Sequence, residues 1–134
     1  GEEQRAGTIA HALVLARRIK PIATTGDLVA GIQSVPGTGA PGVLSRVFQG
    51  LRIAVNDELG ALQSALEQSF LLLVPGGRIV VVTFHSLEDR MVKRMFGDPS
   101  LVRVTKKPIR PGIEEQQGNP RSRSAKLRVA QKRY

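Results

Sequence analysis

Residues 75–96 constrain the fold of this chain more than any other stretch. A Pro-Gly-Gly turn precedes five β-branched residues at positions 79–83, and a segment with helical spacing follows them. A short apolar run of this kind is typical of a strand that helices cover on both faces, as in parallel sheets. The sequence therefore predicts an α/β fold with this strand in the middle of the sheet.

Four polar residues follow the predicted strand: His85, Ser86, Glu88 and Asp89. Open α/β sheets bind their ligands at the carboxyl ends of strands, so we expect His85 and Ser86 to border any site. The Glu88 and Asp89 carboxylates could act as acid and base, but neighbours on a helix point in different directions, and the S-x-x-D form of residues 86–89 favours a helix cap. A hydrolase is not predicted, because no G-x-S-x-G turn or second nearby histidine is present.

Hydrophobic spacing divides the rest of the chain into helices, strands and loops. The strongest pattern, at residues 44–73, predicts one long helix that ends at the Pro-Gly-Gly turn. Thr25 is the expected cap of a short helix before it. The other predicted segments are a first helix within residues 2–20, a loop at 35–42, a strand at 101–105, a basic loop at 106–112, a mobile stretch at 113–124 and an edge strand at 125–129.

The positive charge is concentrated at the end of the chain. Residues 1–102 hold ten basic residues against nine acidic ones, whereas residues 103–134 hold ten against two, within a total net charge of +9. Such a block favours a polyanionic partner, of which nucleic acid is the commonest, and a solvated tail is the alternative. Aromatic residues make up only 4% of the chain, so RNA contacts would rest mainly on phosphates.

Composition also excludes several classes of site. The chain has no cysteine, which rules out disulfides, thiolate metal sites and thiol nucleophiles. Its two histidines, His11 and His85, lie far apart in sequence, so no metal site is predicted. No apolar stretch approaches the roughly 18 residues that span a membrane, and the chain is expected to be intracellular without membrane contact.

Four motifs give the chain a specific resemblance. In order they are FQGLRIAVNDEL at 48–59, PGGRIVVVTFHSLEDRMVKRMF at 75–96, KKPIRP at 106–111 and NPRSRSAKLR at 119–128. With this set the chain resembles the RsmH family, also called MraW. Its members are S-adenosylmethionine-dependent methyltransferases that modify the N4 of a cytosine in small-subunit ribosomal RNA.

The resemblance implies a fold and a division of the chain. Residues 1–41 look like part of the family's helical substrate-recognition insert with a hinge, and residues 42–134 look like the carboxyl-terminal half of a Rossmann-like class I methyltransferase domain with a basic tail. The family's motifs for S-adenosylmethionine precede this region, so no cofactor is expected to bind this chain alone. A separate amino-terminal half is an expected partner.

The resemblance also implies a function in ribosomal RNA methylation. A non-catalytic, ribosome-associated RNA-binding protein that derives from such an enzyme is the alternative. Small-subunit ribosomal RNA or the ribosome is the expected partner, in a bacterial cytoplasm or in an organelle such as a mitochondrion or plastid. No catalytic base is assigned. The residues expected to bind RNA are Lys106, Lys107, Arg110, Arg121, Arg123, Lys126 and Arg128.

Overall fold

The computed structural model describes all 134 residues and contains two compact units. The first unit is Gly1–Glu58 and the second is Leu59–Tyr134. The first compact unit therefore continues past residue 41, the predicted end of the family's helical insert. That assignment of the insert stays a prediction.

Three helices form the first unit: α1 (Ala6–Ile19), α2 (Thr25–Gln33) and α3 (Pro41–Asn56). Its core contains Ile9, Ile32, Val35 and Val43. A Cβ atom at Gly31 would lie 2.7 Å from the Leu13 side chain, so glycine at this position allows α1 and α2 to approach closely. The helical character predicted for this part of the sequence is confirmed.

The second helix begins with a capping box. Thr24, rather than the predicted Thr25, is the cap, because its hydroxyl accepts a hydrogen bond from the Asp27 backbone N–H at 3.1 Å. The Asp27 carboxylate in return accepts from the backbone N–H of Thr24 at 3.0 Å. Hydrogen bonds from the Thr24 hydroxyl and Lys20 lower the pKa of Asp27 to about 2.

The long helix predicted at residues 44–73 is two helices, α3 and α4 (Glu58–Leu72). Asp57 separates them in the left-handed conformation, with φ 47° and ψ 43°. Hydrophobic spacing continues across this residue and so does not reveal the break. Aspartate tolerates the left-handed region better than most residues, which allows the helix to end without a glycine.

The second unit contains a three-stranded antiparallel sheet with strand order β1-β3-β2. After α4, its elements are β1 (Arg78–Thr83), α5 (Ser86–Met95), β2 (Leu101–Arg103), α6 (Ile113–Gly118), a 3-10 helix (Pro120–Ser124) and β3 (Lys126–Lys132). The α/β class predicted from sequence is confirmed. Every helix in the chain is too short or too polar to cross a bilayer.

The predicted position of β1 in the middle of a parallel sheet is wrong for this chain. β1 pairs only with β3, and the pairing is antiparallel, with Val80 opposite Val129 and Val82 opposite Leu127. Burial alternates along β1, and Val80 and Val82 are 57% and 48% exposed. The physical reason is that helices pack on one face of the sheet and leave the other face open.

The covered face of the sheet forms the core of the second unit. Leu66 from α4, Val92 and Phe96 from the α5 region, Leu101 from β2 and Ala130 from β3 are buried there. Val92 and Ala130 have no exposed surface. The apolar spacing of residues 86–96 therefore predicted the buried side of α5 correctly.

Two predictions about the end of the chain are wrong. Residues 113–124, predicted as mobile, form α6 and the 3-10 helix. The last strand, predicted at an edge, is the central strand β3, which pairs with β1 on one side and β2 on the other. Local sequence does not distinguish an edge strand from a central one, because that depends on which distant segments pair with it.

Replacing Asp57 by glycine tests the break between α3 and α4. In a continuous helix this change would cost about 1 kcal/mol relative to alanine. At a left-handed position glycine removes a strain of about 1 kcal/mol, so Asp57→Gly should be more stable than Asp57→Ala. Urea unfolding of both variants measures the difference.

Gln63, an exposed residue within α4, provides the matched control position. There glycine should be less stable than alanine, because the residue lies inside a helix. The break is contradicted if the two positions show the same order of stability.

Candidate functional site

The turn after β1 is fixed by reciprocal hydrogen bonds between its backbone and side chains. The Glu88 carboxylate accepts from the backbone N–H groups of Phe84 at 2.8 Å and His85 at 3.3 Å. His85 Nδ1 accepts from the Glu88 backbone N–H at 3.3 Å. His85 is therefore the cap of α5, and Ser86, the predicted cap, is the first residue of the helix.

His85 has a second ring nitrogen in a dry position. Because Nδ1 accepts a hydrogen bond, Nε2 carries the proton of the neutral ring. Nε2 lies 3.2 Å from Glu88 Oε1 but without hydrogen-bond alignment, and the side chain is only 10% exposed. His85 thus combines a cap role with an unused donor at the carboxyl end of β1.

A partly buried carboxylate joins α5 to the central strand. Asp89 accepts two hydrogen bonds from the Arg128 guanidinium, at 2.7 and 3.1 Å, and one from the Lys126 ammonium at 3.3 Å. The Arg128 side chain is 9% exposed and that of Asp89 is 13% exposed. The hydrogen bonds from Arg128, and secondarily from Lys126, hold the pKa of Asp89 below its usual range. We call these three residues the Asp89 clamp.

Two residues that were predicted to bind RNA, Lys126 and Arg128, bind the Asp89 carboxylate in this structure. Arg128 is directed toward Asp89 on the covered face of the sheet, opposite Val81 in β1. Lys126 remains partly exposed beside it. Sequence reasoning missed this contact because Asp89 and Arg128 are 39 residues apart and no local pattern links them.

The basic loop after β2 is attached to the start of β3. Ile109 and Leu127 exchange two backbone hydrogen bonds, each of 2.9 Å, and the Thr105 hydroxyl accepts from the Val129 backbone N–H at 2.9 Å. This antiparallel pairing places Arg110 next to Lys126 in register. The basic loop therefore lies beside the start of β3, although the two are separate in the sequence.

The 3-10 helix before β3 presents two more cations. Ser122 is buried, and the residues on either side of it, Arg121 and Arg123, are exposed. The loop residues Lys106, Lys107 and Arg110 are exposed as well. We call these five exposed residues the basic cluster. None of them forms an ion pair with a carboxylate, so their charge faces solvent.

Residues 1–133 match the MraW methylase family. The chain belongs to this family. The resemblance drawn from the four sequence motifs is confirmed, and it extends over nearly the whole chain.

Curated relatives carry the same name in several bacteria. The "Ribosomal RNA small subunit methyltransferase H" of Granulibacter bethesdensis is 47% identical over 96% of this chain and 46% of its own length. Proteins of that name from Chlorobaculum parvum and Coprothermobacter proteolyticus are 46% and 50% identical over 98% of this chain. The chain spans about half the length of these relatives.

Replacing Asp89 by asparagine tests the Asp89 clamp. The change leaves Arg128 buried without a counter-charge and should cost about 3 kcal/mol of unfolding free energy at pH 7. The pKa of Asp89 is lower in the folded state than in the unfolded state. The unfolding free energy that Asp89 contributes is therefore fully present when the pH is above the unfolded pKa of about 4. It is lost as the pH falls through the folded pKa, so variant and wild type should converge in acid. Denaturant unfolding from pH 7 to pH 3 measures this.

Glu67→Gln is the control for the Asp89 variant. It removes one carboxylate from an exposed position in α4, where the carboxylate accepts a hydrogen bond from Gln63 that a glutamine oxygen can also accept. We expect less than about 0.5 kcal/mol of change at every pH. An Asp89→Asn difference that stayed constant down to pH 3 would show that the carboxylate charge is not what stabilises the clamp.

Proposed function

We propose that this chain is the carboxyl-terminal half of an S-adenosylmethionine-dependent methyltransferase that modifies the N4 of a cytosine in small-subunit ribosomal RNA. Its part in the enzyme is to complete the sheet and to bind RNA. The observation that carries this proposal is the pairing of Ile109 with Leu127, which brings the basic loop beside the start of β3 in an MraW family chain.

The open face of the sheet supports a larger Rossmann-like domain. Val80, Val82, Val102 and Ile109 are each more than 40% exposed, and β1 has no partner along its outer edge. Apolar strand residues in this number are normally covered, and an unpaired edge is normally paired or protected. An upstream half of the enzyme would add strands beside β1 and helices over this face, which would make β1 an internal strand.

The residues of the chain do not by themselves fit a pocket for S-adenosylmethionine. The glycine turn before β1, in which Gly76 has φ 77°, lies at the amino end of that strand. Nucleotide-type cofactors bind at the carboxyl ends of strands in open α/β sheets. The donor therefore belongs to the upstream half, and His85 and Ser86 border the shared site from this side.

The basic cluster supplies the affinity for RNA. Its five side chains are exposed and lack acidic partners, so they are available to phosphates. Lys126 and Arg128 contribute differently in this proposal, because both bind Asp89 and so position β3, the strand that follows the 3-10 helix and pairs with the basic loop. The site of action is the ribosome or its precursor, in a bacterial cytoplasm or an organelle.

The alternative, a non-catalytic binding protein, receives no support from the comparisons. The relatives are named as methyltransferases and cover nearly all of this chain. A discriminating assay is methyl transfer from labelled donor to small ribosomal subunits. We expect activity when the chain is combined with the amino-terminal half of the Coprothermobacter proteolyticus relative.

The intact relative is the positive control for that assay. Analysis of the methylated RNA should place the label on the N4 of a cytosine. The proposal is contradicted if the two halves form a stable complex that binds the donor, yet transfer no methyl group under conditions in which the intact relative does.

The salt dependence of RNA binding tests the role of the basic cluster. The Arg121→Gln/Arg123→Gln double variant should lower the slope of log K against log salt concentration by about 1.4 for a single-stranded RNA. Substitution by lysine at both positions retains the charge and should retain the slope. Fluorescence anisotropy titrations measure both. A slope that glutamine leaves unchanged would remove these two residues from the interface.

A further inference from the structure

A groove in the second unit is not used by the functions described so far. It lies between the end of α4 and the end of α5 and has a volume of about 270 Å³. Its apolar residues are Phe70, Leu71 and Met95, and its charged residues are Glu67 and Asp98. The volume is below the usual range of small-molecule sites, and it suits one or two side chains of a protein partner.

The groove lies at the opposite end of the sheet from the turn at His85. α4 ends just before the turn that leads into β1, and the Gly76 backbone N–H in that turn donates to the Lys132 carbonyl at 3.0 Å. Leu101, the first residue of β2, is paired with the same lysine. The amino ends of β1 and β2 therefore meet here. Because ligands of open α/β sheets bind at the carboxyl ends of strands, the groove is separate from the site proposed at His85 and Ser86.

The two carboxylates of the groove lack a cation. Glu67 accepts a hydrogen bond from the Gln63 amide at 2.8 Å, and Asp98 accepts from the Ser100 hydroxyl and, at 2.8 Å, from the Ser100 backbone N–H. Neither carboxylate forms an ion pair. The hydrogen bonds from Ser100 hold the pKa of Asp98 below its usual range, so this side chain stays charged at neutral pH.

Cations at this end of the unit bind backbone carbonyls instead. The Lys132 ammonium donates to the Leu73 carbonyl at 2.7 Å and lies 5.2 Å from the centre of the Phe70 ring. The Arg103 guanidinium donates to the Phe96 carbonyl at 3.1 Å. These contacts fix the ends of α4 and α5, which form the walls of the groove. They also leave both carboxylates of the groove without a counter-ion in a strongly basic chain.

Apolar surface lies next to this negative charge. Leu71 is 77% exposed, and Phe70 and Met95 are partly exposed. A concave surface that combines exposed apolar side chains with unpaired charge of one sign is typical of a site that a partner covers. Methionine fits side chains of different shape, because it is unbranched and flexible.

We propose that this groove is a docking site for a protein segment in which a long apolar side chain lies next to lysine or arginine. The apolar side chain enters between Leu71 and Met95, and the basic side chain pairs with Glu67 and Asp98. The inference goes beyond the proposed function, because the partner is a protein and the groove lies at the other end of β3 from the basic cluster.

The lining selects this class of partner by its charge and its shape. The aliphatic stem of a lysine or arginine can lie along Leu71 while its charged end reaches a carboxylate. A nucleic acid or an acidic peptide would be repelled by both carboxylates. An apolar segment without a cation would remove water from Glu67 and Asp98 and offer no hydrogen bonds in return.

The first experiment selects ligands from a library of random peptides displayed on phage. The library is depleted on the Leu71→Ser variant and then selected on the whole wild-type chain. We expect enrichment of peptides in which leucine, isoleucine, phenylalanine or methionine stands next to lysine or arginine. Enrichment of acidic peptides, or no enrichment, would overturn the inference.

The second experiment measures the affinity of the most enriched peptide by fluorescence anisotropy. Leu71→Ser should weaken binding about tenfold, because it removes the exposed apolar side chain of the groove. Glu67→Gln should weaken binding about threefold, as expected for one exposed ion pair, and it retains the hydrogen bond from Gln63. Circular dichroism checks that both variants are folded.

Each substitution has a matched control outside the groove. Leu72 follows Leu71 in α4 and is 83% exposed but does not line the groove, and Glu114 is an exposed carboxylate of α6. Leu72→Ser and Glu114→Gln should leave the affinity for the peptide unchanged. If either control weakens binding as much as its partner variant does, the peptide does not bind in the groove and the inference is wrong.

Two other occupants would also overturn the inference. If the chain forms dimers in sedimentation experiments and Leu71→Ser abolishes them, the groove is an interface between copies of this chain. If the amino-terminal half of the Coprothermobacter proteolyticus relative displaces the peptide, the groove belongs to the interface between the halves of the enzyme. RNA binding should be the same for wild type and Leu71→Ser, so a failure of the proposed function is distinguished from a failure of this inference.

Discussion

The Asp89 carboxylate and its two cations hold the second unit in its observed arrangement. Burying these charges would be costly without close pairing, so the placement of α5 on β3 in which Asp89 meets Arg128 is favoured over others. That requirement fixes the helix over the sheet. It also fixes the positions of the two chain segments next to it, the turn at His85 and the start of β3.

The same contact divides the basic residues of the tail into two groups. Arg128 lies on the covered face of the sheet and pairs with Asp89, whereas Arg121 and Arg123 flank a buried serine and face solvent. The high charge of the last quarter of the chain is therefore partly structural and partly available to a partner. The number of basic residues in the tail therefore overstates the charge that a partner can contact, because Arg128 is already paired with Asp89.

The chain spans about half the length of its relatives, and its sheet has an open face and an unpaired edge. The sheet has helices on one face only and exposed valines on the other, which is why we propose that it belongs to a larger layered α/β domain. The match to the MraW methylase family and the half-length coverage of its relatives point the same way.

The sequence by itself determined the features that depend on neighbouring residues. These include the strand at residues 79–83, the helix after it, the basic tail and the family motifs. The tertiary structure decided what depends on distant residues: β1 at an edge, β3 in the centre, and Arg128 beside a carboxylate 39 residues away. It also placed Asp57 in a left-handed turn that the apolar spacing conceals. The reason is that periodicity and propensity act over a few residues, whereas strand pairing and ion-pair burial are settled only when remote segments meet.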